Sequence, residues 1–425
     1  MRHHKPSPVS SLFNIAMPAM IENTLQLVMG MVDSFFVASL GMYALSGVSV
    51  ATTIISVYQA IFIALGTAVS ALVARYLSQK DDKRLGSSLM QAEQLTWMVG
   101  VFLGGVSVIG ASPMLDAMRV EGAVNAYGRV YLSLVGGGIV LLGLMTVYGA
   151  AIRASGRPKL PMWVSLFTNG INILLSALSV FVWHLGITGV AVSTVVARGC
   201  GLWMLRWHLH LPKAKWRLGV DKALIGLSLP TAGERLMMRL GDVAVLVIIA
   251  GIGTEAIAGD GIGEVLTQFN YMPGLALATA TVILVAQETE PSAIRRIAVS
   301  SFWLSSALMG LVAGLVCLLT PLLLPVFTQD GVAVDYARMI VWYALFGTFT
   351  TAGALTYTAV WQGIGDAKKP FYATSVGMWV IRVGLAIILV YPLDMGLAGV
   401  RLAMIGDNGL RFAYLWWRLP IQKRL

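Results

Sequence analysis

The chain has 425 residues, of which 57% are apolar and only 12% charged, with a formal net charge of +10. Soluble domains carry roughly a quarter charged residues, so a soluble fold cannot hide this much apolar surface and lipid must act as part of its solvent. The positive excess does not read as a nucleic-acid footprint, because most Lys and Arg fall in short connections between apolar runs, as the positive-inside rule demands.

A spanning helix needs roughly 20 apolar residues, which leaves room for about a dozen spans. Runs such as 243–253 and 311–325 are continuous rather than alternating, which argues against an outer-membrane barrel. In chain order the predicted spans are 11–39, 46–76, 88–110, 124–151, 161–184, 188–208, 223–251, 255–287, 297–326, 334–362, 370–392 and 396–417. Their connections alternate in charge. One set holds Lys80, Lys83 and Arg84; Arg153, Arg157 and Lys159; Lys213, Lys215 and Arg217; Arg295 and Arg296; Lys368 and Lys369. The other set is short, has only Arg119 near 111–123, and carries Asp116, Glu255, Asp330 and Asp394. The basic set is expected on the cytoplasmic side of a bacterial-type inner membrane. Both tails are basic too, through Arg2, Lys5, Lys423 and Arg424, so both termini are expected to be cytoplasmic. No small-residue cleavage site follows a short apolar core, so the start is expected to be uncleaved. Cys200 and Cys317 lie inside apolar runs and read as packed thiols without a metal or disulfide role.

The chain repeats itself. Pro18, Glu22, Gly41 and Gly47 match Pro230, Glu234, Gly253 and Gly259 at one offset of 212. Tyr127, Arg129, Tyr148, Gly156 and Pro161 match Tyr336, Arg338, Tyr357, Gly365 and Pro370 at an offset of 209. The expected fold class is therefore all-α integral membrane, with twelve transmembrane helices in two pseudo-symmetric six-helix lobes, 1–212 and 213–425. Each half holds an even number of spans, so the axis relating the halves should run along the membrane normal, and transporters of that build bind substrate between their halves.

Ionisable groups inside a bilayer cost at least about 2.5–3.5 kcal/mol each on insertion scales, so they carry most of the information. Asp33 sits in the first span with no basic residue within two turns on its own helix. Glu22 lies eleven residues earlier, close to three turns, and Gln26 joins the same stripe. Glu22 has a blander reading of equal weight, as a partner for a nearby Arg. In the second half Glu234 and Arg235 precede Arg239 and Asp242, and this group reads mainly as an internal ion-pair network. Asp260, Glu264 and Gln268 form a further stripe, in which Glu264 is a candidate second proton or substrate site. Arg401, Asp407, Arg411 and Arg382 are expected to pair among themselves. Deformable Met29, Met237 and Met238 suit varied apolar ligands, although core filling is the commoner role for any one Met. The expected substrate cavity is thus lined by Glu22, Gln26, Met29, Glu234, Met238, Asp260 and Glu264. No phosphate-binding loop, His-Glu-x-x-His or Gly-x-Ser-x-Gly run is present, so neither an ATPase nor a hydrolase centre is visible. Asp81-Asp82 is weak as a metal motif.

The sequence resembles the multidrug and toxic compound extrusion (MATE) family over nearly its whole length. The resemblance rests on Met17-Pro18 and Val32-Asp33-Ser34 with Gly41, and on Arg153-Ala154-Ser155-Gly156-Arg157-Pro158. It rests equally on Gln362-Gly363-Ile364-Gly365-Asp366-Ala367 at the corresponding place in the second half. The resemblance implies a twelve-helix antiporter that expels organic cations and other amphiphiles against proton or sodium entry. It implies a coupling site at Asp33 with Asn172 and Thr194, where sodium would also bind. A second family carboxylate one turn after that Asn is replaced here by Ser176, which weakens a sodium site and favours the proton. No cofactor beyond the coupling ion, no nucleic acid and no enzymatic role are expected; the partners are the bilayer and a small amphiphilic or cationic substrate, and the chain should act as a monomer. The alternative within the superfamily is a lipid-linked oligosaccharide flippase, which should carry a strongly cationic cavity. An integral membrane enzyme is the third reading, and no motif supports it.

Overall fold

The computed structural model describes residues 7–118, 122–210, 221–328 and 330–419, which are helical with no strand among them. The expected boundary at 212/213, the basic residues Lys213, Lys215 and Arg217, Arg119, and both basic tails lie outside the described residues. The helices are α1 (Pro8–Ala38), α2 (Met42–Ser78), α3 (Asp82–Ala117), α4 (Gly122–Tyr131), α5 (Ile139–Ala154), α6 (Lys159–Ala177) and α7 (Gly186–His208). They continue with α8 (Lys222–Ala250), α9 (Thr254–Gln287), α10 (Pro291–Phe327), α11 (Gly331–Ile364), α12 (Lys368–Val376), α13 (Gly384–Val390) and α14 (Gly396–Trp417). Three π-helical segments intervene: Leu132–Gly136 between α4 and α5, Leu178–Val182 after α6, and Gly377–Val383 between α12 and α13.

Among the described residues nine helices are long and apolar enough to cross a bilayer, or ten when Gly122–Gly136 and Ile139–Ala154, bent by 43°, count as one span. The other two spans, α8 and α14, are long enough but laden with charge: Glu234, Arg235, Arg239 and Asp242 in one, Arg401, Asp407 and Arg411 in the other. Together these make the twelve transmembrane helices. The span positions agree with those read from apolarity, with two instructive extensions. Helix α3 starts at Asp82, because the Asp81 side chain accepts the Arg84 backbone N–H at 3.0 Å and caps it. Helix α10 starts at Pro291, a residue well suited to a first turn. Apolarity counts what lipid requires, whereas a helix can run on into water.

Chain contacts gather into two compact units, residues 21–232 and residues 1–20 with 233–425. The divisions fall inside α1 and α8, two residues after Pro18 and two after Pro230, which match in the repeat. Each of these helices therefore gives its first part to one unit and its remainder to the other. In the 21–232 unit, Phe36 and Val37 of α1 meet Ile55, Tyr58 and Phe62 of α2, Leu115 of α3, Tyr131, Leu132 and Val190 of α7 in one buried cluster. In the other unit, Leu12, Ala16 and Ala19 of α1 pack on Ala276, Leu277 and Ala280 of α9. A second cluster there joins Ile248, Ile249, Ile340, Val390 and Leu397.

The repeat works through the backbone. A Cβ on Gly47 would stand 2.5 Å from the Val124 carbonyl oxygen, and one on Gly259 would stand 2.9 Å from that of Ala333. Absence of a side chain lets α2 approach α4, and α9 approach α11, at backbone distance. The later matched pair, Gly156 and Gly365, has φ of +85° and +102°, the left-handed region that closes a helix. Behind them the N–H groups of Arg157 and Asp366 reach back to the carbonyls of Ile152 and Trp361 at 3.2 and 3.0 Å.

Candidate functional site

In the 21–232 unit, α1 presents Asp33 to α6. The Asn172 side-chain amide donates to Asp33 Oδ1 at 2.9 Å, and the Ser176 hydroxyl donates to Asn172 Oδ1 at 3.4 Å. Asn172 and Ser176 lie one turn apart on the buried face of α6. Thr194 of α7 donates to its own Val190 carbonyl at 3.0 Å, and Tyr131, which immediately precedes the Leu132–Gly136 π segment, brings its hydroxyl within reach of Thr194. Such segments shift one residue out of helical register and are frequent at functional positions. Asp33, Asn172 and Ser176 are thus joined by hydrogen bonds, while Thr194 bonds its own helix and neighbours Tyr131, a residue that sequence reasoning passed over.

Arg198 was also passed over. It lies one turn after Thr194 on the same face of α7, half-buried, with a buried Nη1 that has no hydrogen-bond partner among the described residues. The signal was legible: an Arg inside an apolar run, four residues after a candidate ligand. Sequence reasoning along Asp33's own helix does not reach it.

Glu22 belongs elsewhere in this unit. Eleven residues of helix rise about 16 Å, so Glu22 and Asp33 lie about three turns apart. Glu22 is held by Arg153 at 2.8 Å, with each side chain only 14% exposed. The pairing follows from the loop after α5, where Arg153 sits in the last turn. Gln26 is exposed and Met29 is buried. Glu93 of α3, not anticipated, bonds the Tyr148 hydroxyl.

In the unit of residues 1–20 and 233–425, Arg382, Arg401 and Arg411 pair with carboxylates, while Nε of Arg235 is buried without a hydrogen-bond partner among the described residues. Asp407 is fully buried, with Arg382 at 2.9 Å and Arg411 at 3.0 Å. Arg382 also reaches Asp242 at 3.4 Å, so Asp242 pairs across to the π segment rather than with Arg239 of its own helix. Asn408 accepts from Arg411 at 2.6 Å and donates to Thr351 at 3.0 Å. Glu234 accepts from Gln362 and Thr374, each at 3.2 Å. Arg401 departs from its expected partners: it bonds Asp260 and, at 2.5 Å, Glu264. Its place near the start of α14 puts it one and a half turns from Asp407, too far for that carboxylate and level with the acidic face of α9. Of the residues expected along this cavity, Glu234 and Asp260 are buried, Met238 is half-buried and Glu264 is accessible.

A multi-span helical bundle whose membrane-embedded charges converge on internal clusters defines a membrane transporter. The MatE family model matches residues 18–178 and 230–388, once in each half, and the chain belongs to that family. The protein named "Probable multidrug resistance protein NorM" from Thermotoga maritima is 25% identical, covering 95% of this chain and 90% of its own. The "Uncharacterized transporter YisQ" of Bacillus subtilis is also 25% identical, covering 97% and 94%. Among solved structures, a MATE protein in a straight conformation superposes with a TM-score of 0.91 at 19% identity, covering 98% of this chain and 97% of that one. A MOP superfamily transporter from Pyrococcus furiosus, described as having a binding pocket of reverse polarity, superposes at 0.90 with the same identity and coverage.

Proposed function

We propose that this protein is a secondary antiporter of a bacterial-type inner membrane, exporting organic cations and drug-like amphiphiles in exchange for protons by alternating access. Both termini face the cytoplasm in this reading, and the chain works as a monomer without a resident cofactor. The observation that carries it is the Asp33 site: an embedded carboxylate held by a neutral amide at 2.9 Å instead of being locked to a cation. A carboxylate so placed can gain and lose a proton without dismantling an ion pair. The relatives named as probable multidrug resistance proteins support the substrate class. Gln26 and Glu264, the accessible members of their clusters, are the side chains proposed to meet substrate, with Met29 and Met238 supplying deformable apolar lining. Glu22 in one unit, and Glu234 and Asp260 in the other, are already held by their own partners.

Alternating access requires that the proton and the substrate favour different states, since a ligand moves an equilibrium only by its differential affinity. Protonation of Asp33 favours the state that releases substrate outward. The test is reconstitution in liposomes with a panel of fluorescent dye cations, applying proton and sodium gradients separately. Dye efflux is expected with the proton gradient, and Asp33→Asn, which imitates the protonated group, should abolish it while leaving a folded monodisperse protein. Wild-type efflux rates in Asp33→Asn would remove Asp33 from the coupling role, and transport on a sodium gradient at clamped pH would overturn the proton choice.

A further inference from the structure

The embedded charges of the unit of residues 1–20 and 233–425 do not cancel locally. Asp407 and Asp242 are answered by Arg382 and Arg411, two charges of each sign. Arg401 alone holds both Asp260 and Glu264, which leaves one negative charge in surplus on α9, and the Glu264 side chain is 50% exposed. Glu234 takes its hydrogen bonds from Gln362 and Thr374. Among the embedded cations Arg235 and Arg239 remain, and neither has a carboxylate at ion-pair distance among the described residues. Nε of Arg235 is buried with no hydrogen-bond partner, and Arg239 is exposed. Four residues apart, they sit on one face of α8. Arg239 lies about 16 Å from the Ala250 end of α8 and about 25 Å from its start, well inside a hydrocarbon core roughly 30 Å thick. Glu264 lies about 15 Å from the Thr254 end of α9, so it stands at a similar distance from the turn joining the two helices.

We propose that Arg235 and Arg239 form an anion subsite that receives the carboxylate of the exported amphiphile; the proposal rests on the antiport reading and narrows its substrate to zwitterions. An unpaired guanidinium at membrane depth is costly, and lipid tails offer it no acceptor. A lipid headgroup would meet the pair only near an end of α8, whereas a transported molecule brings its anionic group to this depth. The planar fork of Arg suits a carboxylate, which it binds through two parallel hydrogen bonds. A purely cationic ligand would leave both guanidinium groups unanswered and would be repelled by them. Two opposite surpluses, on α8 and on α9 at Glu264, suit a molecule that carries both charges: its carboxylate answers Arg235 and Arg239, and its cationic centre answers Glu264.

The probes are a rhodamine dye with a free carboxylate and the methyl ester of the same dye. Their binding to purified full-length protein in phosphatidylcholine nanodiscs is followed by fluorescence polarisation at neutral pH. Wild type should bind the free acid at least about tenfold more tightly than the ester, the scale of one charge-assisted hydrogen-bonded pair. Arg239→Gln should abolish that preference by weakening the acid without weakening the ester. Arg235→Gln should act in the same direction, and exposed Arg239 carries the test should the variant of half-buried Arg235 fail to fold. Equal affinities for acid and ester in wild type overturn the subsite and leave the antiport reading standing, as does a full preference in Arg239→Gln. Binding of neither dye overturns both. Adding phosphatidylglycerol to the disc should leave the preference intact; its disappearance would assign the pair to a lipid headgroup and overturn the proposal.

Discussion

The two compact units are built on one repeat and differ in how many of their embedded carboxylates are held by cations. In the unit of residues 1–20 and 233–425, Arg382, Arg401 and Arg411 hold Asp242, Asp260, Glu264 and Asp407 at ion-pair distance, and Glu234 takes two hydrogen bonds. In the 21–232 unit, Asp33 is met by an amide. Glu22, by contrast, is already paired with Arg153. A locked network resists change, because moving any member strands another charge in a medium of low dielectric. A carboxylate on a neutral partner can change protonation cheaply. Asp33 in one unit and Glu234 in the other are carboxylates held by neutral groups.

The strongest test of that division is Asp407→Asn. It leaves Arg382 and Arg411 without their shared carboxylate, and removing one partner from a buried pair costs about 3–5 kcal/mol. Thermal unfolding in detergent should show a large loss of stability; an unchanged melting temperature would mean that the network is ornamental. Next comes Arg401→Met, which strands buried Asp260 and accessible Glu264. Because Glu264 can recover solvent, the expected loss is smaller, about 2 kcal/mol, in the same assay.

Gly47→Ala and Gly259→Ala sharpen the comparison from the other side. Each adds a methyl against a backbone carbonyl at a matched place in the repeat, so each should cost about 1–3 kcal/mol, and the two losses should be similar. Very unequal losses would show that the units differ in their packing as well as in their charges. The smallest expected effect on stability is that of Asp33→Asn, under about 1 kcal/mol, since the amide keeps the shape and a hydrogen-bonding oxygen for Asn172. Loss of transport without loss of melting temperature separates the switch from the scaffold; a drop as large as that of Asp407→Asn would erase the distinction.

Much of the architecture is legible in the sequence. Twelve spans follow from apolar run length, and the repeat follows from Pro, Glu, Gly, Arg and Tyr recurring at fixed spacing. Gly156 and Gly365 hold their places by a conformation that other residues rarely adopt. The π segments are invisible there, because one residue inserted into an apolar helix leaves its hydrophobicity unchanged. They matter here, since Tyr131 stands at the edge of one and Arg382 lies within another.

Pairing is legible only in part. Sequence identifies Asp33, Arg401, Asp407 and Arg411 as embedded charges, since local composition fixes which residues lipid must accommodate. Partners on the same helix can be read from spacing, as for Asp407 and Arg411, four residues apart. Asn172 with Asp33, Arg401 with Asp260, and Arg382 with Asp242 join helices separated by well over a hundred residues. Their meeting depends on helix rotation and depth, set by close approaches such as those of Gly47 and Gly259 and by the register shifts of the π segments. Periodicity along one helix carries no record of which face of a distant helix will oppose it. Composition and spacing determined that the chain crosses the membrane twelve times in two matching halves, while tertiary packing alone decided which embedded charge is paired with a cation and which is held by neutral groups.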